Sequence, residues 1–210
     1  MSTSNSVLPI DPAAKTFLAL GDSYTIGQSV SVAERFPNQV TTMLRANQIK
    51  INDPQIIATT GWTTKNLIDA INAGALQNNY DVVTLLIGVN NQYQGKSIDE
   101  YKTEFTLLLN HAIQCAANKP THVFVLSIPD YSVTPFAQNA DKIKIAKEID
   151  EFNAANKTIS LQLGVNYIDI TLISRESDPA LNAADGLHPS GKQYKKWADI
   201  LVPLIKQVLQ

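Results

Sequence analysis

Five residues of the 210-residue chain have the types and spacing that acyl transfer requires. A serine nucleophile needs a base to take its proton. The base needs an acid to orient it, and the oxyanion that develops on the substrate needs hydrogen-bond donors. Ser23 directly follows an apolar run, where a sharp turn exposes its hydroxyl. Asp185 and His188 form an Asp-x-x-His unit late in the chain. That spacing lets the carboxylate fold back onto one imidazole nitrogen and leaves the other free for the serine proton. Gly61 has no side chain, so its N–H can approach a substrate oxygen closely. Asn90 offers a carboxamide NH₂ as a second donor.

These residues are useful only if the fold gathers them, and the chain alternates strand and helix patterns to its end. Residues 16–20 read as a buried strand stopped by Gly21-Asp22. Residues 33–46 carry apolar positions at helical spacing, and 55–58 read as a second strand before a Thr-Thr-Gly break. A helix over 64–73 precedes the clearest strand, the β-branched run 82–88. Residues 97–118 read as a long helix opened by a Ser97/Glu100 capping box. A fourth strand spans 122–128, and 140–163 read as a helix, whole or broken, stopped by Gly164. The fifth strand covers 165–170, and Ser190 caps a last helix over 190–209, in which Pro203 predicts a kink. Five strands separated by helices predict an α/β fold, a three-layer α/β/α sandwich around a five-stranded parallel sheet of flavodoxin-like order. In such sheets ligands sit beyond the carboxyl ends of the strands. Ser23, Gly61 and Asn90 each follow a strand, and Asp185 and His188 lie in the loop before the last helix.

Composition narrows the field. With 44% hydrophobic and 17% charged residues, the chain can bury a full core without metal or disulfide staples. One domain over 16–210 is expected, after a flexible lead-in at 1–15. Seventeen basic and 19 acidic residues leave a net charge of −2, which argues against a nucleic-acid partner. No apolar run approaches the roughly 18 residues of a membrane span. Residues 1–15 have neither a basic nor an apolar region of the secretory kind, which suits a cytoplasmic protein or an exported one whose leader is gone. The single cysteine, Cys115, makes no internal disulfide and reads as a buried filler.

The blocks Gly21-Asp22-Ser23, Gly61, Gly88-Val89-Asn90-Asn91 and Asp185-Gly186-Leu187-His188 occur in an order that resembles the SGNH hydrolases, the G-D-S-L lipases and esterases. The resemblance spans almost the whole chain and implies the same sandwich fold. It implies Ser23 as nucleophile, His188 as base and Asp185 as orienting acid. The oxyanion donors would be the N–H groups of Ser23 and Gly61 and the side chain of Asn90. The implied reaction is hydrolysis of a small-molecule carboxylic ester through a seryl acyl-enzyme, with no metal or organic cofactor. The family includes short-chain esterases, lysophospholipases, thioesterases and sugar deacetylases. The short chain leaves little room for a lid, which favours small acyl groups such as acetate. Two positions depart from the pattern: Tyr24 stands where the family name has Leu, and Asn91 where the third block usually ends in Asp. The Asp is regarded as loop support, so Asn91→Asp is expected to change activity only modestly.

Each motif alone has a plainer reading. Ser23 could cap a helix, Gly61 and Asn90-Asn91 could be turn residues, and Asp185 and His188 could be a loop ion pair. Asp22, Trp62, Asn91, Tyr93 and Tyr131 are the candidate lining of a substrate pocket. His111 and His122 suggest no metal site, and Lys192, Lys195 and Lys196 look like a solvated helix face. Two other functions compete. The hydroxyl-rich segment 23–29 sits where a flavodoxin-like module cradles a flavin or phosphate. A non-catalytic relative binding carbohydrate or lipid is the other. Oligomeric state is not legible.

Overall fold

A computed structural model describes residues 11–74 and 76–210. Five strands form one parallel sheet: β1 (Phe17–Gly21), β2 (Gln55–Ala58), β3 (Val82–Leu86), β4 (Val123–Leu126) and β5 (Asn166–Ile168), in the order β2-β1-β3-β4-β5. This is the flavodoxin-like order expected from the alternation of elements. Every residue of β1, β3 and β4 is buried, while β2 and β5 at the edges are partly exposed. The central strands therefore read as continuous apolar runs, as a sheet covered on both faces requires.

Among the described residues eight α-helices flank or follow the strands: α1 (Ser23–Ile26), α2 (Phe36–Ala46), α3 (Thr64–Ala73), α4 (Val89–Tyr93), α5 (Ile98–Cys115), α6 (Lys142–Gln162), α7 (Thr171–Ser174) and α8 (Gly191–Leu209). α2 packs on α8, and α3, α5 and α6 pack in a row, so helices cover both sides of the sheet. Phe36, Tyr194 and Trp197 join α2 to α8, with the Tyr194 and Trp197 rings edge-on at 4.9 Å. Tyr101, Phe105 and Phe152 make the matching cluster between α5 and α6.

Several boundaries differ from the sequence reading, each for a local reason. The helix expected from residue 33 starts at Phe36, because Pro37 lacks an N–H and is tolerated only in a first turn. Residues Val32–Glu34 form instead a separate 3₁₀ turn closed by a Ser31/Glu34 capping box. At α5, Ser97 accepts from the Glu100 N–H, but the Glu100 carboxylate turns to Lys96 rather than completing a box. α5 stops at Cys115, and Ala117 and Asn118 reverse the chain in the left-handed conformation. α6 is unbroken, and α8 runs through Pro203 without interruption. The short helices α4 and α7 carry too few residues to show a helical period.

Of the expected lead-in, residues 1–10 lie outside the described residues. Asp11 is tied to Asn52, Lys15 bridges to Ile51, and Lys15 pairs with Asp81 at 3.1 Å.

Candidate active site

All five strands end at one edge, and the order reverses between β1 and β3, which opens a crevice there. Ser23 follows β1 and Asn90 follows β3, so the two flank the crevice. The β1 turn is very tight: a Cβ on Gly21 would lie 2.1 Å from Thr25 Oγ1 and 2.4 Å from the Leu86 carbonyl. Asp22, rather than Ser23, caps α1, accepting from the Tyr24 N–H at 3.0 Å. The Ser23 hydroxyl is thereby released from capping.

Gly61 lies in the turn after β2 at φ 83°, a conformation that side chains oppose, with nothing within 4 Å of an added Cβ. On α4, successive residues point about 100° apart. Asn90 donates one side-chain N–H to the Trp62 carbonyl at 2.9 Å, which fixes the amide and leaves its second N–H free of that bond. Asn91 turns away into the protein, accepting from the Thr64 N–H at 3.0 Å and donating to Thr64 Oγ1 at 2.6 Å.

Asp185 and His188 sit on a loop pinched shut by a bridge between Asn182 and Pro189. Asp185 Oδ1 accepts the Leu187 and His188 backbone N–H groups at 3.0 and 2.9 Å. His188 Nδ1 lies 2.7 Å from Asp185 Oδ2, and since a carboxylate only accepts, the shared proton belongs to Nδ1. Nε2 is then the basic nitrogen. Partial burial works to raise the Asp185 pKa, but hydrogen bonds from Ser29, His188 and the loop backbone outweigh it and hold the carboxyl well below its usual range. Tyr24 packs edge-on against the His188 ring at 5.7 Å, so the ring at the position departing from the family name supports the imidazole.

Ser23, Gly61, Asn90 and His188 line one cavity of about 180 Å³. Ser23 and His188 line this cavity without a direct hydrogen bond between them, a link that in serine hydrolases often tightens only when substrate binds. Of the candidate lining residues, Tyr93 and Tyr131 form part of the wall, and Asp22, Trp62 and Asn91 do not. Asp22 is wholly buried beneath the turn, Trp62 contributes its carbonyl to Asn90, and Asn91 is locked onto Thr64. Burial raises the Asp22 pKa to about 7, against backbone hydrogen bonds that oppose the shift.

Sequence reasoning missed Phe136, which closes the wall with Tyr93 and Tyr131 in a triangle of rings 6.2–6.4 Å apart. It comes from a 3₁₀ turn, Pro135–Ala137, which has no periodic signature. It also missed Ser29, which donates to Asp185 Oδ2 at 2.5 Å. The hydroxyl-rich character of segment 23–29 was the only signal. His122, distant from this cavity's lining, bonds the Asp81 carbonyl at 2.7 Å. Among the described residues no cluster of His, Cys, Asp and Glu could hold a metal, and no helix is long and apolar enough to cross a membrane.

The model of the GDSL-like lipase/acylhydrolase family matches residues 19–196. No curated protein matches the sequence. Solved structures share the fold at low identity. A lipase/acylhydrolase from Enterococcus faecalis superposes with a TM-score of 0.73 at 16% identity, over 92% of this chain and 96% of that one. TesA does so at 0.72 and 16%, over 92% and 99%. An acetylxylan esterase from Geobacillus stearothermophilus does so at 0.67 and 17%, over 91% and 94%. With the family model covering most of its length, the chain belongs to the GDSL-like lipase/acylhydrolase family and is a carboxylic ester hydrolase.

Proposed function

We propose that the protein is a serine esterase acting on short acyl esters through Ser23, His188 and Asp185. One observation carries this reading: the Asp185–His188 hydrogen bond orients a free imidazole nitrogen at the same cavity that Ser23, Gly61 and Asn90 line. Ser23 Oγ attacks the ester carbonyl carbon and gives its proton to His188 Nε2. The carbonyl oxygen becomes an oxyanion held by the Ser23 and Gly61 N–H groups and the Asn90 amide. Collapse breaks the bond to the leaving alcohol, which takes the proton from His188. Water then attacks the acyl-enzyme, His188 accepts its proton, and the second collapse releases the acid and restores Ser23. Asp185 stays ionised throughout and steadies the imidazolium.

The small cavity, ended by Tyr93, Tyr131 and Phe136, supports a short acyl group. The structurally similar protein from Geobacillus stearothermophilus is an acetylxylan esterase, which is in keeping with a short acyl group. The competing phosphate-binding reading is disfavoured by the Asp185 carboxylate, which occupies the Ser29 hydroxyl that an anion would need. The test is hydrolysis of p-nitrophenyl acetate by wild type and by Ser23→Ala, His188→Ala and Asp185→Asn. Loss of kcat by on the order of 10⁴-fold or more in each variant supports the triad. Wild-type rates in folded Ser23→Ala would overturn it.

A further inference from the structure

We infer that Ser29 is a positioning residue of the active site, holding the Asp185 carboxylate in register with the Ser23 turn. The inference rests on the triad reading above. Four residues other than glycine have a positive φ among those described. Gln48, Ala117 and Asn118 lie just past the ends of α2 and α5, where chains commonly reverse in the left-handed conformation. Ser29, at φ 67°, lies two residues beyond Gly27, whose φ of 70° already closes the single turn of α1. A residue held in a sparsely populated conformation needs surroundings that fix it there.

The Ser29 conformation brings its Oγ to Asp185 Oδ2 at 2.5 Å, between positions 156 residues apart. Asp185 Oδ2 also accepts a hydrogen bond from His188 Nδ1–H, and Oδ1 accepts from two backbone N–H groups of the same loop. Each carboxylate oxygen therefore has two donors, and Ser29 is the one donor that comes from another loop. The preceding residue makes a parallel link: Gln28 Oε1 accepts from Thr60 Oγ1 at 2.7 Å, next to Gly61. Residues 28 and 29 thus tie the nucleophile turn to the oxyanion turn on one side and to the Asp185–His188 loop on the other. Ser29 is solvent-exposed, and the bond its hydroxyl makes is to Asp185 rather than into the core. Ser29 adds a fourth hydrogen bond to the three made within the loop, and rotation of the carboxylate away from His188 would break all four.

Ser29→Gly separates the two roles, because glycine takes the left-handed conformation freely and lacks only the hydroxyl. With p-nitrophenyl acetate, kcat is expected to fall about tenfold while KM holds and Tm falls only slightly, as misalignment of a reacting group would dictate. Ser29→Asn, which tolerates the same conformation and carries an N–H donor, is expected to recover part of the loss. The second readout is the downfield proton resonance of His188 Nδ1, assigned by its disappearance in His188→Gln. It is expected to broaden or shift in Ser29→Gly. Wild-type kcat together with an unchanged resonance in Ser29→Gly would overturn the role of Ser29. A changed resonance in a protein whose wild type hydrolyses no ester would support the positioning of Asp185 and overturn the esterase reading instead.

Discussion

Asn91 donates its side-chain N–H to the Thr64 hydroxyl at 2.6 Å, and Thr64 in turn gives its single proton to Glu104. Residue 91 must therefore be a donor as well as an acceptor. The departure from the family's aspartate is matched by a carboxylate one step down the chain of hydrogen bonds. With Asn91→Asp, two carboxylates compete for the one Thr64 proton, and a buried acceptor is left without a partner. A loss of about 1–3 kcal/mol at neutral pH is expected, read by urea denaturation. Adding Glu104→Gln supplies the missing donor and is expected to recover much of the loss. Additive losses in the double variant would contradict the coupling. Activity per folded molecule is expected to change little, since Asn91 does not line the cavity.

Asp22 makes stability fall with rising pH. Burial raises its pKa to about 7 in the folded state, above the value of about 3.9 in an unfolded chain. Between those values the folded state binds the extra proton. Its deprotonation as pH rises therefore costs stability, at up to about 1.4 kcal/mol per pH unit. The cost is absent below the unfolded pKa and complete above the folded one. Asp22→Asn has no proton to lose there. Its stability relative to wild type is expected to rise from pH 5 to about pH 8, measured by thermal melts. Parallel stability curves would contradict the raised pKa.

Asp185 has the opposite sign. Its folded pKa is depressed, so its contribution is present above the usual carboxylate range and is lost as pH falls through the lower folded value. Asp185→Asn is expected to remove that acid-side dependence of stability and to lower kcat at neutral pH, as read by melts and initial rates across one pH series.

In the proposed mechanism Asn90 and Gly61 carry different parts of the oxyanion site. Asn90→Ala removes a donor and is expected to lower kcat about 10²–10³-fold with little change in KM. Gly61→Ala meets no clash, but φ 83° strains any side chain there. It is expected to lower both Tm and kcat as the turn relaxes. An Asn90→Ala enzyme with wild-type kcat would remove the amide from the mechanism.

In the proposed reaction the ring triangle of Tyr93, Tyr131 and Phe136 bounds the acyl group. Across p-nitrophenyl esters, kcat/KM is expected to favour acetate and butyrate over chains beyond about eight carbons, and Phe136→Ala to shift that preference toward longer chains by roughly tenfold. A wild-type preference for long chains would contradict the small pocket.

The sheet order and the convergence of Ser23, Gly61, Asn90, Asp185 and His188 were legible in the sequence because they depend on buried strands with strong apolar runs. Ser23, Gly61 and Asn90 each stand just past the end of a strand, and Asp185 and His188 lie in the loop before α8. Ser29, Phe136 and the inward turn of Asn91 were not legible. They depend on side-chain directions in one-turn helices and irregular loops, where no periodicity exists. Ser29 meets Asp185 across a sequence separation of 156, only once the chain between them has folded. Likewise, Asn91 looked like a pocket residue beside Asn90 until the helical rotation of α4 separated the two.

Intact-mass analysis after treatment with a fluorophosphonate probe, on wild type and Ser23→Ala, tests the role of Ser23 without knowledge of the natural ester. One probe adduct per wild-type molecule and none on Ser23→Ala is the expected result. A folded wild-type protein that stays unlabelled, or a Ser23→Ala protein that labels equally, would contradict Ser23 as the nucleophile.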